Sequence, residues 1–365
     1  MNRFVVTYRM RSEARAIEAR AEAFALEQSV EVPRAMVDDP RVRDDIVGRV
    51  EAIEDRGGGV FHVRIALAEA TTGFEAGQLM NMLFGNSSIH DDVALIDIAF
   101  TRALVEAFGG PRQGIDGLRR RTGAAGRAMT CSALKPQGLP PEALAALAAR
   151  LAQGGIDLIK DDHGLADQAY SPFGARVRAC AAAVHQANRA GGGRTVYVPS
   201  LSGNLDQLRD QVSIVRQEGL DAVLVAPMVI GLPAFHALAR AYPDIAFMAH
   251  PALAGAQRIA PELLLGTLFR LLGADAVIFP NHGGRFGYST ETCRRIAAAA
   301  RKPWDSVRAA VPVPAGGMSL ERVPEMLDFY GRDTILLIGG ALLAARERLT
   351  EETRALVRRV AESAS

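Results

Sequence analysis

The sequence predicts an α/β protein: a C-terminal (β/α)8 TIM barrel preceded by an N-terminal α+β domain of ferredoxin-like kind. Three observations carry this. The chain has 365 residues, too many for one small domain and suited to a barrel with an appendage. Beyond residue 112, short apolar runs alternate with longer helical patterns. The alternation occurs eight times over roughly 250 residues, as parallel strands with crossover helices require. Before that point, strands and helices mix without such a repeat, as in an open α+β sandwich.

Taken in order, residues 4–10 read as a strand and 13–26 as a helix. Segments 47–54 and 60–68 flank Arg56-Gly57-Gly58-Gly59, a hairpin signal. Residues 74–84 read as a helix and 93–98 as a strand. Segment 108–114, Phe-Gly-Gly-Pro-Arg-Gln-Gly, is rich in breakers and marks the boundary. The expected domains are therefore 1–112 and 113–365. The eight barrel runs are 128–135, 156–162, 195–201, 222–227, 245–250, 276–280, 311–315 and 335–338. A doubly wound open sheet is the alternative for such alternation, and the count of eight favours the closed form.

Composition excludes several classes. A net charge of +1 with interspersed signs argues against a nucleic-acid partner. The first residues alternate like a strand and lack an apolar signal core. The longest apolar stretch, near 223–235, holds two prolines and is too short to span a bilayer. Cys131, Cys180 and Cys293 show neither metal nor disulfide spacing. The expectation is a cytoplasmic protein with no membrane partner.

Lysine usage points to chemistry. Lys+Arg total 42, yet the only lysines are Lys135, Lys160 and Lys302. Lysine can lose its proton, form a Schiff base or add CO2, and guanidinium cannot. Lys302 follows an alanine-rich helix and reads as an exposed end. Lys135 and Lys160 close the first and second barrel runs, where barrel active sites lie. Side chains alternate along a strand, so Lys160 and Asp162 share a face, Asp161 faces away, and His163 enters the next turn. Two adjacent ammonium groups depress each other's pKa, which would leave one free to act as a base. The other could add CO2, and carbamate and carboxylate oxygens together suit Mg2+. A plain Lys160–Asp162 ion pair is the structural alternative. Gly316-Gly317 ends the seventh run and Gly339-Gly340 the eighth, at the usual phosphate site of such barrels. Glycine there lets backbone N–H groups approach a phosphate, although glycines also end strands for steric reasons alone.

At these residues the chain resembles the ribulose-bisphosphate carboxylase large-subunit family, in particular its RuBisCO-like proteins. The likeness runs in order through Phe84-Gly85-Asn86, segment 108–115, Leu134-Lys135-Pro136, the long motif from Gly154 to Asp162, His250 and both glycine pairs. It implies that Lys160 becomes a carbamate and binds Mg2+ with Asp162. It implies that Lys135 moves a proton at the substrate carbon, that His250 contacts substrate, and that the glycine pairs hold one phosphate. Glu27 and Asn86 would close the site of a partner subunit, which implies at least a homodimer.

The departures shape the expected function. The family's third metal ligand is a glutamate, and here it is His163, a poor ligand for Mg2+. The lysine after that of the first strand is replaced by Gln137, the arginine after the strand-five histidine by Pro251, and the serine before the first glycine pair by Ala315. The loop 280–288 carries His282 and Arg285 but no lysine. Either residue could hold an anion if the loop is a lid, and a solvated loop is the alternative. Carboxylation of a bisphosphate is not expected. A monophosphorylated keto compound is the expected small-molecule partner, processed through an enediolate. The resemblance leans to decarboxylation or carboxyl transfer and hydrolysis of 3-oxo-isoapionate 4-phosphate. An enolase acting on 2,3-diketo-5-methylthiopentyl 1-phosphate or a related sugar-phosphate isomerase is the alternative. An inactive binding or regulatory member would be expected to lack Lys135 or Asp162, and both are present. A Schiff-base aldolase using Lys160 is a further alternative.

Overall fold

The computed structural model describes residues 1–284, 286–304 and 306–363. Two compact units emerge, and they do not follow the chain strictly: Met1–Gly109 takes in Leu253–Leu264, and the second unit holds Gly110–Ala252 and Leu265–Ser365.

The first unit contains a four-stranded sheet of β1 (Arg3–Arg11), β2 (Arg49–Asp55), β3 (Val60–Ala68) and β4 (Val93–Ala99), in the order β2-β3-β1-β4. Its pairs are antiparallel. With helices Ile17–Glu27 and Ala76–Phe84 between strands, this is the ferredoxin-like βαββαβ order expected. Alternation in β1 buries Phe4, Val6, Tyr8 and Met10, and Tyr8 meets Phe24 of the first helix edge-on at 4.8 Å. The β2–β3 hairpin turns through Gly57, Gly58 and Gly59, all with φ between 62° and 81°, where other residues are strained. Segment 253–264 joins β4 through paired backbone bonds, Leu95 N to Arg258 O at 2.9 Å and Ala260 N to Leu95 O at 2.9 Å.

The second unit is an eight-stranded parallel sheet: β5 (Met129–Leu134), β6 (Leu158–Asp161), β7 (Val196–Val198), β8 (Ala222–Val225), β9 (Ala246–Ala249), β10 (Ala276–Pro280), β11 (Val311–Ala315) and β12 (Ile335–Leu337). The order β7-β6-β5-β12-β11-β10-β9-β8 is cyclic in sequence. It closes by a bridge between Ser200 and Leu224, with Leu201 N to Leu224 O and Leu224 N to Pro199 O both at 2.8 Å. The doubly wound alternative is excluded by that closure. All eight strands fall within the apolar runs, because strands covered on both faces read as continuous hydrophobic stretches.

One core cluster fills the barrel. It takes alternate residues from every strand: Met129 and Cys131, Leu158, Val198, Ala222 and Leu224, Ala246 and Met248, Ala276 and Ile278, Val311 and Val313, Ile335 and Leu337. The N-terminal mouth is plugged by Leu118 and Ala124 of the same cluster. Buried Asp275 fixes that plug by accepting N–H groups from Gln113 at 2.7 Å, Gly114 at 2.6 Å and Phe247 at 2.8 Å. Two or four residues further along the inward register come Lys135, Lys160, Asp162, His250 and Gly339, which places them at the open C-terminal mouth. No helix among the described residues is long and apolar enough to cross a membrane.

Candidate active site

The centre of the mouth is built on β6. Ala133 of β5 pairs with Lys160, and Lys160 with Val198 of β7, so Lys160 stands on the inward ring. Its side chain is only 4% exposed, and its Nζ donates to the Asp161 carbonyl at 2.9 Å. Burial pushes its pKa down, and the nearby Lys135 charge adds to the fall. Asp161 points outward, as alternation requires. Its carboxylate accepts from Tyr197 Oη at 2.7 Å, Arg176 Nε at 3.0 Å and Ser200 N at 3.1 Å. Arg176 and Asp161 are both fully buried, and their pairing ties the end of β6 to helix Phe173–Gly191.

Asp162 organises the polar cluster. One oxygen accepts from Lys135 Nζ, and the other lies 2.9 Å from His163 Nδ1. Burial alone would raise this carboxyl. The bonds from His163 and Lys135, with the charges of Lys160 and Lys135, outweigh it and hold the group well below the usual carboxylate range. Below Lys135, Gln137 Nε2 donates to the Gly164 carbonyl, so the loops after β5 and β6 are clamped twice. Lys302, by contrast, is exposed at the end of helix Thr290–Arg301.

His250 leaves β9 and stacks on His163, with ring centroids 3.9 Å apart and planes 10° from parallel. β6 and β9 are not hydrogen-bonded neighbours, so the stack spans the mouth. His250 Nδ1 accepts from Ala252 N at 3.1 Å, which puts the proton of the neutral ring on Nε2. Burial, then the Lys160 charge, push its pKa from 6.5 down to about 2. Between those values the unfolded chain binds a proton that the folded chain does not. The stability contributed by neutral His250 is therefore full above pH 6.5 and is lost as pH falls, by up to about 1.4 kcal/mol per pH unit. Melting temperatures from about pH 7 to about pH 4 should fall less steeply in His250→Gln than in the parent. Equal slopes would assign the loss to other groups.

The residues fit a metal on one condition. Among the described residues no three His, Cys, Asp or Glu side chains are placed to hold one. Asp162 keeps lone pairs beyond its two hydrogen bonds, and burial lowers the pKa of the Lys160 amine. A carbamate on Lys160 would supply the missing anionic oxygens that Mg2+ prefers. His163 offers imidazole Nε2, a donor better suited to Mn2+ or softer ions.

The two glycine pairs differ. A Cβ on Gly339, Gly340 or Gly316 would meet nothing within 4 Å, whereas one on Gly317 would lie 2.6 Å from Gly284 Cα. Gly316 and Gly317 both have positive φ, +81° and +65°, so backbone conformation alone accounts for glycine at both, and loop packing adds to it at Gly317. Gly339 caps and Gly340 opens the short turn Gly340–Leu343, leaving backbone N–H groups accessible. Gly340→Val should weaken phosphate binding by about tenfold with little change in melting temperature. Gly317→Val should lower the melting temperature as well. Unchanged phosphate affinity in Gly340→Val would count against this site.

His282 packs against Phe329 with centroids 4.9 Å apart, and its buried Nε2 has no hydrogen-bond partner. Arg285 lies outside the described residues. In the first unit Asn86 Nδ2 donates to Glu27 Oε1 at 3.1 Å, at the surface. The His163–His250 stack and the Gln137–Gly164 clamp were not foreseen from sequence. Only strand order across the barrel brings the stacked rings together.

Comparison with known proteins agrees with this geometry. The family described as "Ribulose bisphosphate carboxylase large chain, catalytic domain" matches residues 114–347. A protein of Rhodospirillum rubrum named 5-methylthioribulose-1-phosphate isomerase is 60% identical over 365 residues, covering 100% of this chain and 98% of that one. A 2,3-diketo-5-methylthiopentyl-1-phosphate enolase of Geobacillus kaustophilus is 35% identical over 291 residues, 76% of this chain and 70% of that one. The crystal structure of a Rubisco-like protein from Rhodopseudomonas palustris superimposes with a TM-score of 0.93 at 53% identity, covering 99% of this chain and 98% of that one. With its barrel, its lysine–aspartate cluster and these relatives, the chain belongs to the ribulose bisphosphate carboxylase large-chain family, among its RuBisCO-like proteins.

Proposed function

We propose that the protein is a sugar-phosphate isomerase acting on 5-methylthioribulose 1-phosphate or a closely similar ketose phosphate. The full-length 60% identity to a relative of that name carries this assignment. The cluster at the barrel mouth supports the chemistry. Removing a proton beside a ketone gives an enediolate, and returning it to the neighbouring carbon moves the carbonyl. Lys135, anchored on Asp162, is the group to carry that proton. Neutral His250 presents Nε2–H as a donor to the developing oxygen charge. Mg2+, held by Lys160 as its carbamate and by Asp162, would polarise the ketone. His163 orients Asp162 from the side opposite Lys135. Gly316, Gly339 and Gly340 take the single phosphate. Residues 113–365 form the catalytic domain, and 1–112 supplies Glu27 and Asn86 to the site of a second copy in a homodimer or larger assembly.

The enolase reaction on 2,3-diketo-5-methylthiopentyl 1-phosphate begins with the same proton removal, and the 35% identical relative supports it as a second reading. Cleavage of 3-oxo-isoapionate 4-phosphate would need the same metal and phosphate features, and the isomerase and enolase relatives favour the other two readings over it. Incubation of the protein with 5-methylthioribulose 1-phosphate, Mg2+ and bicarbonate in D2O tests the assignment. NMR should show a new ketose phosphate and deuterium beside the carbonyl. No conversion and no exchange, with release of CO2 from 3-oxo-isoapionate 4-phosphate, would overturn it. Ribulose bisphosphate should give no labelled phosphoglycerate from labelled CO2, since loop 280–288 holds no lysine.

A further inference from the structure

Helix Ile17–Glu27 ends at Glu27, and the turn Asn86–Ile89 begins at Asn86. These two residues pair at the surface, and the next residue on each element pairs beneath them. Ser87 Oγ donates to Gln28 Oε1, with Ser87 fully buried and Gln28 4% exposed. Gln28 Nε2 donates to the Met82 carbonyl at 2.8 Å and to Tyr8 Oη at 3.3 Å. The buried Tyr8 hydroxyl donates to the Leu83 carbonyl at 2.6 Å. Both ends of the Gln28 amide are thus committed, and any other rotamer would bury unpaired polar atoms. Gly85 tightens the approach, since a Cβ there would lie 2.6 Å from the Asn81 carbonyl oxygen. An exposed Glu–Asn hydrogen bond alone competes with water and costs side-chain entropy. The buried layer removes that freedom by fixing both backbones one residue away.

We propose that Gln28 and Ser87 are positioning residues that hold Glu27 and Asn86 as a preorganised pair for the active site of a second copy. This rests on the assignment of that pair to the site. The test is a double-mutant cycle on the full-length protein, read as deuterium exchange into 5-methylthioribulose 1-phosphate. Ser87→Ala should lower turnover about tenfold, chiefly in kcat. In an Asn86→Ala background the same change should add less than about twofold. Gln28→Met combined with Ser87→Ala removes the Ser87–Gln28 bond from both ends but also takes the Gln28 donor from the Met82 carbonyl, so it should lower the melting temperature modestly and lose turnover at temperatures where it stays folded. Independently of turnover, a crystal structure of Ser87→Ala should show the Asn86 side chain in more than one rotamer. An equal loss in both backgrounds, or full turnover in the apolar double variant, would reduce the network to a structural role. Asn86→Ala with parental activity would instead sink the assignment of the pair itself, and the positioning role with it.

Discussion

Lys160→Arg is expected to leave a folded protein with turnover reduced by at least about a thousandfold, the scale of losing a metal's stabilisation of developing charge. The cause lies in the burial of one amine. Lys160 is enclosed at the barrel mouth and burial pushes its pKa down, the direction that favours the neutral amine needed to add CO2. Without that adduct, Asp162 is the only carboxylate on the inward face of β6, and one carboxylate does not make a magnesium site. Guanidinium cannot form the adduct. The chain holds only three lysines, so 13C NMR with labelled bicarbonate should show a carbamate signal in the parent that disappears in Lys160→Arg. Activity should require bicarbonate and Mg2+ together. Full activity in CO2-free buffer containing EDTA would refute the carbamate. Borohydride trapping of substrate on Lys160 would point to a Schiff base instead.

Much of this was legible in the chain, for physical reasons that differ between parts. The barrel strands could be read because both faces of each are covered, so β5, buried throughout as Met-Thr-Cys-Ser-Ala-Leu, stands out from its helical neighbours. Alternation then placed Lys160 and Asp162 inward and Asp161 outward, and the Asp161–Arg176 pair lies where that alternation requires. Strand ends were less legible. The run 195–201 gave only Val196–Val198 as strand, because beyond it the backbone closes the barrel through Ser200 and Leu224. Segment 253–264 sits far in sequence from β4 and carries no pattern announcing that it packs there. The His163–His250 stack also depends on contacts that sequence spacing does not encode. Among the glycines, the motif did not separate Gly317, which packs against Gly284, from Gly340, which faces open space.

Lys135→Met should keep the carbamate signal and lose proton transfer, by about a hundredfold to ten-thousandfold. Lys135 Nζ rests on Asp162, opposite His163, and its side chain is 38% exposed. It can therefore reach both the cluster and a substrate entering the mouth. Methionine fills a similar volume without a proton to give. The substitution removes a cation and a hydrogen bond from Asp162, so that carboxyl should titrate at higher pH than in the parent. His163 still hydrogen-bonds it, so its ionised form should persist at neutral pH. Metal affinity, followed by Mn2+ paramagnetic resonance as a stand-in for Mg2+, should therefore survive while deuterium exchange beside the ketone is lost. Unbound metal in Lys135→Met would make the lysine a support for Asp162. A variant that keeps both its metal and its exchange rate would show that the proton travels by another group, with His250 the next candidate on the inward face.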